Sequence, residues 1–215
     1  IVPSPMSFLL PLFPLNLVVF PQEKLNLHIF EPRYKQLIND SLENNTTFGI
    51  PAFIDNEVSK IGTEVRVSLV INRYDDGRMD IQTEGLRIFE IQQLYNPMKG
   101  KLYAGADVRF LETKEDSILT ERILLVELVS RLFDLLDIKQ YVPIEANYIT
   151  YLVGHYVGLT IKQEYHLLST LSERERIHFL LDHLNKVIPI VQEAEKAKQR
   201  IRMNGHFKHL NPLTF

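Results

Sequence analysis

The hydrophobic pattern of this 215-residue chain changes its period near Lys114. Before that point apolar and polar residues alternate, as they do from Glu64 to Ile71, and a period of two is typical of half-buried strands in an antiparallel sheet or barrel. From Ser117 onward apolar residues recur at helical spacing, which predicts packed helices. We therefore expect the α+β class, with an antiparallel β-barrel lobe over residues 1–114 and an α-helical bundle lobe over residues 115–215.

Turn signals subdivide the first part. The segment Tyr74-Asp-Asp-Gly-Arg78 lies between two alternating runs, and its Asp-Gly pair predicts a β-hairpin. Pro32 is a favourable first residue for a helix, and the apolar spacing that follows it predicts one short helix ending near Leu42. The barrel lobe should therefore contain a single helix among its strands.

Capping signals predict several helices in the second part. Pro143 predicts the start of a helix that closes at a following glycine, Gly154 or Gly158. The capping boxes Thr160-Ile-Lys-Gln163 and Ser172-Glu-Arg-Glu175 each predict a further helix start.

Two of the predicted helices have unusual features. The helix expected from Ser117 to Ile138 is apolar on two faces, which predicts that one face packs on the barrel and the other on the later helices. The last helix contains Pro189 inside its apolar pattern, and a proline at that place should kink it.

Composition excludes several kinds of chemistry. The chain has no cysteine, which excludes disulfides, a thiol nucleophile and zinc sites with sulfur ligands. With 24 Lys and Arg against 27 Asp and Glu, the net charge is −3, which disfavours nucleic acid as a partner. The basic residues from Lys196 onward either favour the end of a helix through its dipole or form a docking patch for an acidic partner or nucleic acid.

The motifs of common enzyme classes are missing from the sequence. Gly100-Lys101 is the only Gly-Lys pair, and Leu102 follows it where a P-loop needs Ser or Thr. Neither a GxSxG nor a GxGxxG pattern occurs. His206 and His209 have a spacing compatible with a shared metal, but no carboxylate lies near them in the sequence. We therefore expect no catalytic residues, no metal and no cofactor.

The most apolar stretch, from Phe8 to Pro21, does not resemble a membrane segment or a secretory signal. It is shorter than the roughly 20 apolar residues of a spanning helix, and three prolines interrupt it. It also lacks a preceding basic region. These features favour a cytoplasmic protein without membrane contact.

Several blocks of the sequence resemble one known family. The stretch Leu10-Pro-Leu-Phe-Pro-Leu-Asn-Leu-Val-Val-Phe-Pro21 and the block Leu27-His-Ile-Phe-Glu-Pro-Arg-Tyr34 are similar to the signature of the Lon protease amino-terminal, substrate-binding domain family. Ile61-Gly-Thr63, Thr83-Glu-Gly-Leu-Arg-Ile-Phe-Glu-Ile91 and the helical segment from Leu159 to Leu184 extend the resemblance over most of the chain.

The resemblance implies a fold and a role. The implied fold is a PUA-like β-barrel followed by a helical subdomain. The implied role is recognition of unfolded or damaged protein segments, because in Lon proteases this domain helps to select substrates. The ATPase and protease domains of those enzymes have no counterpart here, so we expect a stand-alone, non-catalytic module, an adaptor that a protease or chaperone could use. RNA binding, by analogy with other PUA-like barrels, is the alternative, and the net charge argues against it.

A cleft between the two lobes is the expected place of binding. On a helix, Tyr148, Tyr151, Leu152 and His155 would share one face. The barrel should offer three further groups near its loops, namely Phe20, Pro21 and Phe30. Tyrosine and histidine combine apolar area with a polar tip, which suits a groove for an extended peptide. The competing interpretation is that these aromatic residues are only the interface between the lobes.

Arg33 is the last candidate for peptide contact. Together with Glu31, Glu84 and Arg87 it could instead form a charged cluster that orients the early helix.

Overall fold

The structure is a computed structural model that describes residues 7–206, and the side chains of residues 7–202. Six strands precede four of the five helices, and one helix lies among the strands. The strands are β1 Phe8–Leu12, β2 Lys24–Ile29, β3 Phe48–Ile54, β4 Glu57–Arg73, β5 Met79–Tyr95 and β6 Ala104–Leu111. The helices are α1 Pro32–Asn44, α2 Leu119–Leu135, α3 Ile149–Gly154, α4 Ile161–Ser169 and α5 Glu173–His206. The α+β class is confirmed, and the change from strands to helices falls between residues 111 and 119.

Five of the strands pair in a closed ring. Strands β4 and β5 are 17 residues long and form the predicted hairpin. The length of β5 lets it pair with β2 near one end and with β6 near the other, and the ring closes through β6, β1, β3 and β4. The pairing of β1 with β3 is parallel, at Leu12 and Gly49, so the sheet departs from the expected antiparallel pattern there.

Large side chains fill the inside of the ring, and glycines on the facing strands leave room for them. Phe89 is fully buried. A Cβ atom on Gly49 or on Gly62 would lie 2.7 Å from its ring. The two glycines therefore provide the space for Phe89, and α1 covers another part of the same lobe with Leu37 and Ile38, both fully buried.

The helical part differs from expectation in its packing. Helix α2 packs along α5, burying Leu125, Val129 and Leu132. The predicted packing of its other apolar face on the barrel is not seen, because among the described residues α2 packs mainly on α5 and Leu124 of that other face is 45% exposed. The barrel is instead contacted by α4, which lies against β3 and β4, and by residues of α3.

The start of α3 is a second difference. The helix begins at Ile149 and not at Pro143, because residues 143–147 form turns and Tyr148 takes a left-handed conformation, with φ at 54°. The guanidinium of Arg122 holds the turns by donating to the carbonyl oxygens of Ile144 and Ala146. The prediction of a helix start at Pro143 was therefore wrong by six residues.

The other capping signals are confirmed in part. Thr160 and Gln163 form a complete capping box at the start of α4. At α5 the Ser172 hydroxyl accepts from the backbone N–H of Glu175, and the helix continues through Pro189 to His206. His209 lies outside the described residues.

The two lobes share one hydrophobic core. Four barrel residues, Val18, Phe20, Ala52 and Ile88, are buried in the same cluster as residues of all the later helices. Backbone hydrogen bonds between the lobe junction and the start of α5 also connect the parts, because Lys114 donates to Leu171 and accepts from Glu173.

Within residues 7–206, no helix is both long and apolar enough to cross a membrane. The described part of the chain also holds no group of three or more metal-ligating side chains.

Candidate functional site

A cavity of about 300 Å³ lies where the barrel meets α3. The barrel contributes the segment from Phe20 to Lys24, and the helical lobe contributes residues of α3 and its two ends. The helical residues are Asn147, Tyr148, Tyr151, Leu152, His155 and Tyr156. The structure therefore brings together five of the seven site residues expected from the sequence: Phe20, Pro21, Tyr148, Tyr151 and His155.

Phe20 forms the floor of the cavity. It is only 1% exposed, and its ring stacks on Tyr151 at a centroid distance of 5.1 Å and lies 4.6 Å from the His155 ring. Two glycines permit this close packing. A Cβ on Gly154 would lie 2.7 Å from the Phe20 ring, and one on Gly85 would overlap the Phe20 carbonyl oxygen. The floor is therefore tightly packed.

Tyr151 belongs to the floor as well. It is 3% exposed and has the Arg176 guanidinium 4.3 Å from its ring centroid. Burial raises the pKa of the Tyr151 hydroxyl to about 12, although the nearby Arg176 acts in the opposite direction. Among the described residues no group hydrogen-bonds that hydroxyl. Phe20 and Tyr151 thus match the interpretation of these aromatics as lobe interface.

The accessible wall is made by three other side chains. Tyr148 is half-buried, Leu152 is 39% exposed and Tyr156 is 45% exposed. Tyr156 was not identified in the sequence, because it lies in the turn that follows the last residue of α3. These three residues present apolar area to a ligand, while Phe20 and Tyr151 support them from beneath.

His155 connects the two lobes at the edge of the cavity. Its Nδ1 lies 2.8 Å from a Glu164 carboxylate oxygen on α4, and its Nε2 lies 3.0 Å from a Glu23 carboxylate oxygen on the barrel. Partial burial works against the charged imidazole, but the hydrogen bonds to Glu164 and Glu23 outweigh it and raise the pKa of His155 to about 9. At neutral pH the imidazolium therefore donates to both carboxylates.

Glu23 accepts a second hydrogen bond at the edge of the cavity. The oxygen that accepts from His155 also accepts the backbone N–H of Phe20, at 2.8 Å. The carboxylate thus fixes the loop that carries Phe20 and Pro21 while it joins that loop to the helical lobe.

A second cavity, of about 310 Å³, adjoins the first. The two share Pro21 and Tyr148, and the second is otherwise lined by barrel residues that include Leu86, Arg87 and Leu111. The two cavities therefore lie side by side at Pro21 and Tyr148, and we call them together the groove.

Phe30 and Arg33 lie elsewhere. Phe30 is 59% exposed and directly follows the last residue of β2, so it lies about 20 Å along the chain from Lys24. Arg33 pairs with Glu31 at 2.8 Å. The expected four-residue charge cluster does not form, because Arg87 pairs with Glu64 and Glu84 with Arg66. The structure thus does not bring Phe30 or Arg33 into the cleft.

Comparison with known proteins agrees with this architecture. The family model described as the ATP-dependent protease La (LON) substrate-binding domain matches residues 9–186. No curated protein matches the chain.

Solved structures also match. A Lon N-terminal domain protein from Xanthomonas campestris is similar at 26% identity and a TM-score of 0.67, over 81% of this chain and 98% of that one. The N-terminal domain of a Mycobacterium avium complex Lon protease is similar at 16% identity and a TM-score of 0.62, over 83% of this chain and 98% of that one. The second likeness shows the fold alone. Because the family model covers both the barrel and the helices that enclose the groove, the chain belongs to the LON substrate-binding domain family.

Proposed function

We propose that the groove between the lobes binds unfolded or partly folded protein segments. The observation that carries the proposal is the accessible wall of Tyr148, Leu152 and Tyr156 above a packed floor. Concave sites with apolar and aromatic walls and a few polar groups are typical of ligand binding. The family description and the Xanthomonas campestris relative support a role in substrate recognition.

The charges around the groove favour a neutral, apolar ligand. The acidic groups Glu23, Glu112 and Glu164 are matched in number by the basic groups Lys24, Arg87 and the protonated His155, so the charges cancel. A phosphate backbone would need a basic surface. We infer that the module works by binding alone and presents its client to a separate protease or chaperone, as an adaptor.

The test uses a permanently unfolded probe, fluorescein-labelled casein, and measures its binding by fluorescence anisotropy. Leu152→Glu places a charge in the wall, and the loss of one apolar contact worth about 1.5–3 kcal/mol should weaken binding at least about tenfold. Leu119→Glu is the matched control, because Leu119 is a 63% exposed leucine on α2 that does not line the groove.

The same assay separates apolar binding from charge-driven binding. Raising the salt from about 0.05 M to about 0.5 M should leave the affinity of the unfolded probe nearly unchanged, whereas phosphate-driven binding falls steeply with salt. If both leucine variants bound casein as well as the parent chain, the groove would not be the binding surface.

A further inference from the structure

We propose that the bound segment adds to the barrel as an extended strand along the free edge of β2, with one of its side chains in the cavity beside α3. This inference rests on the proposed function and specifies how the client is held. Addition of a strand to an exposed sheet edge takes affinity from main-chain hydrogen bonds and specificity from a pocket for alternate side chains.

Strand β2 is paired on one side only. Its six residues pair with β5 from Lys24 opposite Glu84 to Ile29 opposite Met79. It stands at the end of the sheet order, and no strand of the described residues pairs with its other edge. The strand contains no proline, so every backbone N–H in it is a potential donor.

The hydrogen-bonding pattern shows which backbone groups face outward. Just before β2, the backbone N–H of Gly85 donates to the carbonyl oxygen of Glu23. In an antiparallel pair, residues that bond to the partner alternate with residues that do not. Leu25 and Leu27 therefore bond to β5, and Lys24, Asn26 and His28 direct their N–H and C=O groups to the free edge.

The hydroxyl of Thr83 supports this assignment. It donates to the carbonyl oxygen of Leu25 at 3.1 Å, so that carbonyl faces β5. Among the described residues, no non-ladder hydrogen bond reaches the backbone of Lys24, Asn26 or His28.

The cavity borders the end of β2 that begins at Lys24. It is lined by Gln22, Glu23 and Lys24 but by no residue of β5, whereas the second cavity, across Pro21, is lined by Leu86 and other residues of β5. A strand that continues past Lys24 along the free edge would thus meet the wall formed by Leu152 and Tyr156.

Gln22 lies where the free edge of β2 meets the cavity beside α3. Gln22 has φ at 64°, and both Gln22 and Glu23 bond to Gly85, as in a β-bulge. The bulge ends the regular pairing with β5 at this point, and the His155 bridge to Glu23 holds it against the helical lobe. The occupant with matching chemistry is an extended polypeptide of alternating apolar and polar residues.

The experiment compares three versions of one fluorescein-labelled peptide in which Val or Phe alternates with Thr. The first is unmodified, and the other two are N-methylated either on the apolar residues or on the threonines. Only one alternate set of N–H groups can face β2, since the side-chain pattern sets the register. We expect one methylated peptide to bind at least tenfold more weakly than the other, and amide exchange at Asn26 and His28 to slow at least tenfold with the unmodified peptide.

The outcomes separate the two proposals. If the unmodified peptide binds and the two methylated forms bind equally, strand addition is wrong and groove binding stands. If the unmodified peptide and casein both fail to bind, the proposed function fails together with strand addition. If the Asn26 and His28 amides become protected as the concentration of the chain alone is raised, a second copy occupies the edge and strand addition by a client is overturned.

Discussion

Tyr151 is the residue for which a role in core packing and a role in ligand binding predict the most different results. It contacts Phe20, Tyr148 and Arg176 and is almost fully buried. We expect Tyr151→Ala to lower the free energy of unfolding by about 3–5 kcal/mol, as for other buried aromatics. Tyr151→Phe keeps the ring and removes a hydroxyl that has no partner among the described residues, so its melting temperature should equal or exceed that of the parent chain.

Calorimetry on the two variants checks this expectation. An unchanged melting temperature for Tyr151→Ala would show that the ring is not part of the shared core and would return Tyr151 to the list of candidate ligand contacts.

His155 makes the free energy of unfolding depend on pH, and the direction of that dependence follows from its pKa. Its pKa is raised from an ordinary value of about 6.5 to about 9. Its contribution to stability is therefore fully present below pH 6.5 and is lost as the pH rises through about 9. Because the side chain is 31% exposed, solvent screening limits the contribution to about 1 kcal/mol.

The measurement is urea unfolding of the parent chain and of His155→Gln at several pH values. The difference in unfolding free energy should be largest near pH 6 and should vanish above about pH 9.5. His28→Gln is the comparison variant, because it removes a histidine–carboxylate pair, with Asp80, that lies within the barrel and does not join it to the helices. A difference that stays constant over this range would contradict the bridge.

The position of a single residue could be predicted from the sequence where a local rule determines it. It could not be predicted where a contact with a distant part of the chain determines it. Placing Tyr151 and His155 together needed only the helical repeat, whereas Tyr148 reaches the same cavity from a left-handed residue just before the helix. Excluding Phe30 from the cleft needed the direction of β2, which carries that residue away from Pro21. The partners of His155 are 132 and 9 residues away in the chain, and no spacing rule relates them.

At the scale of elements, boundaries set by side-chain caps were predicted well. The box at Thr160 and Gln163 marks the start of α4 as expected. The signal at Pro143 failed because a proline only permits a helix start, while the bonds from Arg122 to Ile144 and Ala146 hold this stretch in turns.

The partner of an apolar helix face was also unpredictable. Two apolar faces on α2 indicated burial from both sides, yet only the face toward α5 is buried. The sequence pattern shows that a face is apolar, but which element covers it depends on the tertiary arrangement.

The cap of α4 should matter for stability because α4 carries Glu164 and contacts the barrel. Thr160→Ala removes the side-chain acceptor for the backbone N–H of Gln163, which should cost about 1 kcal/mol of unfolding free energy. Ser130→Ala, an exposed position inside α2, is the control and should change stability little. Equal unfolding curves for both variants in urea would show that the cap does not stabilise α4.

For the whole molecule, the change of hydrophobic period correctly separated strands from helices near residue 114. That separation did not reveal the extent of the shared core. Phe20 and Ile88 of the barrel are buried by helical residues, because strands from distant parts of the sequence come together at that side of the ring.

This shared core predicts that the lobes depend on each other. Residues 1–114 alone would expose Val18, Phe20 and Ile88, each at a cost of about 1.5–3 kcal/mol, so the fragment should melt well below the whole chain or aggregate. A truncation after residue 191 removes a part of α5 that is mostly exposed in the described residues and should melt close to the parent. A soluble monomer of residues 1–114 as heat-stable as the whole chain would contradict the prediction.

The most direct test of groove binding is site-specific photocrosslinking. The photoreactive amino acid p-benzoylphenylalanine replaces Tyr156, in the wall of the groove, or Tyr141, which is 81% exposed and does not line it. Each protein is irradiated with fluorescein-labelled casein, and the crosslinked yield is measured on a gel. Groove binding predicts strong crosslinking from position 156 and weak crosslinking from the more exposed position 141; equal yields, or a higher yield from position 141, would contradict it.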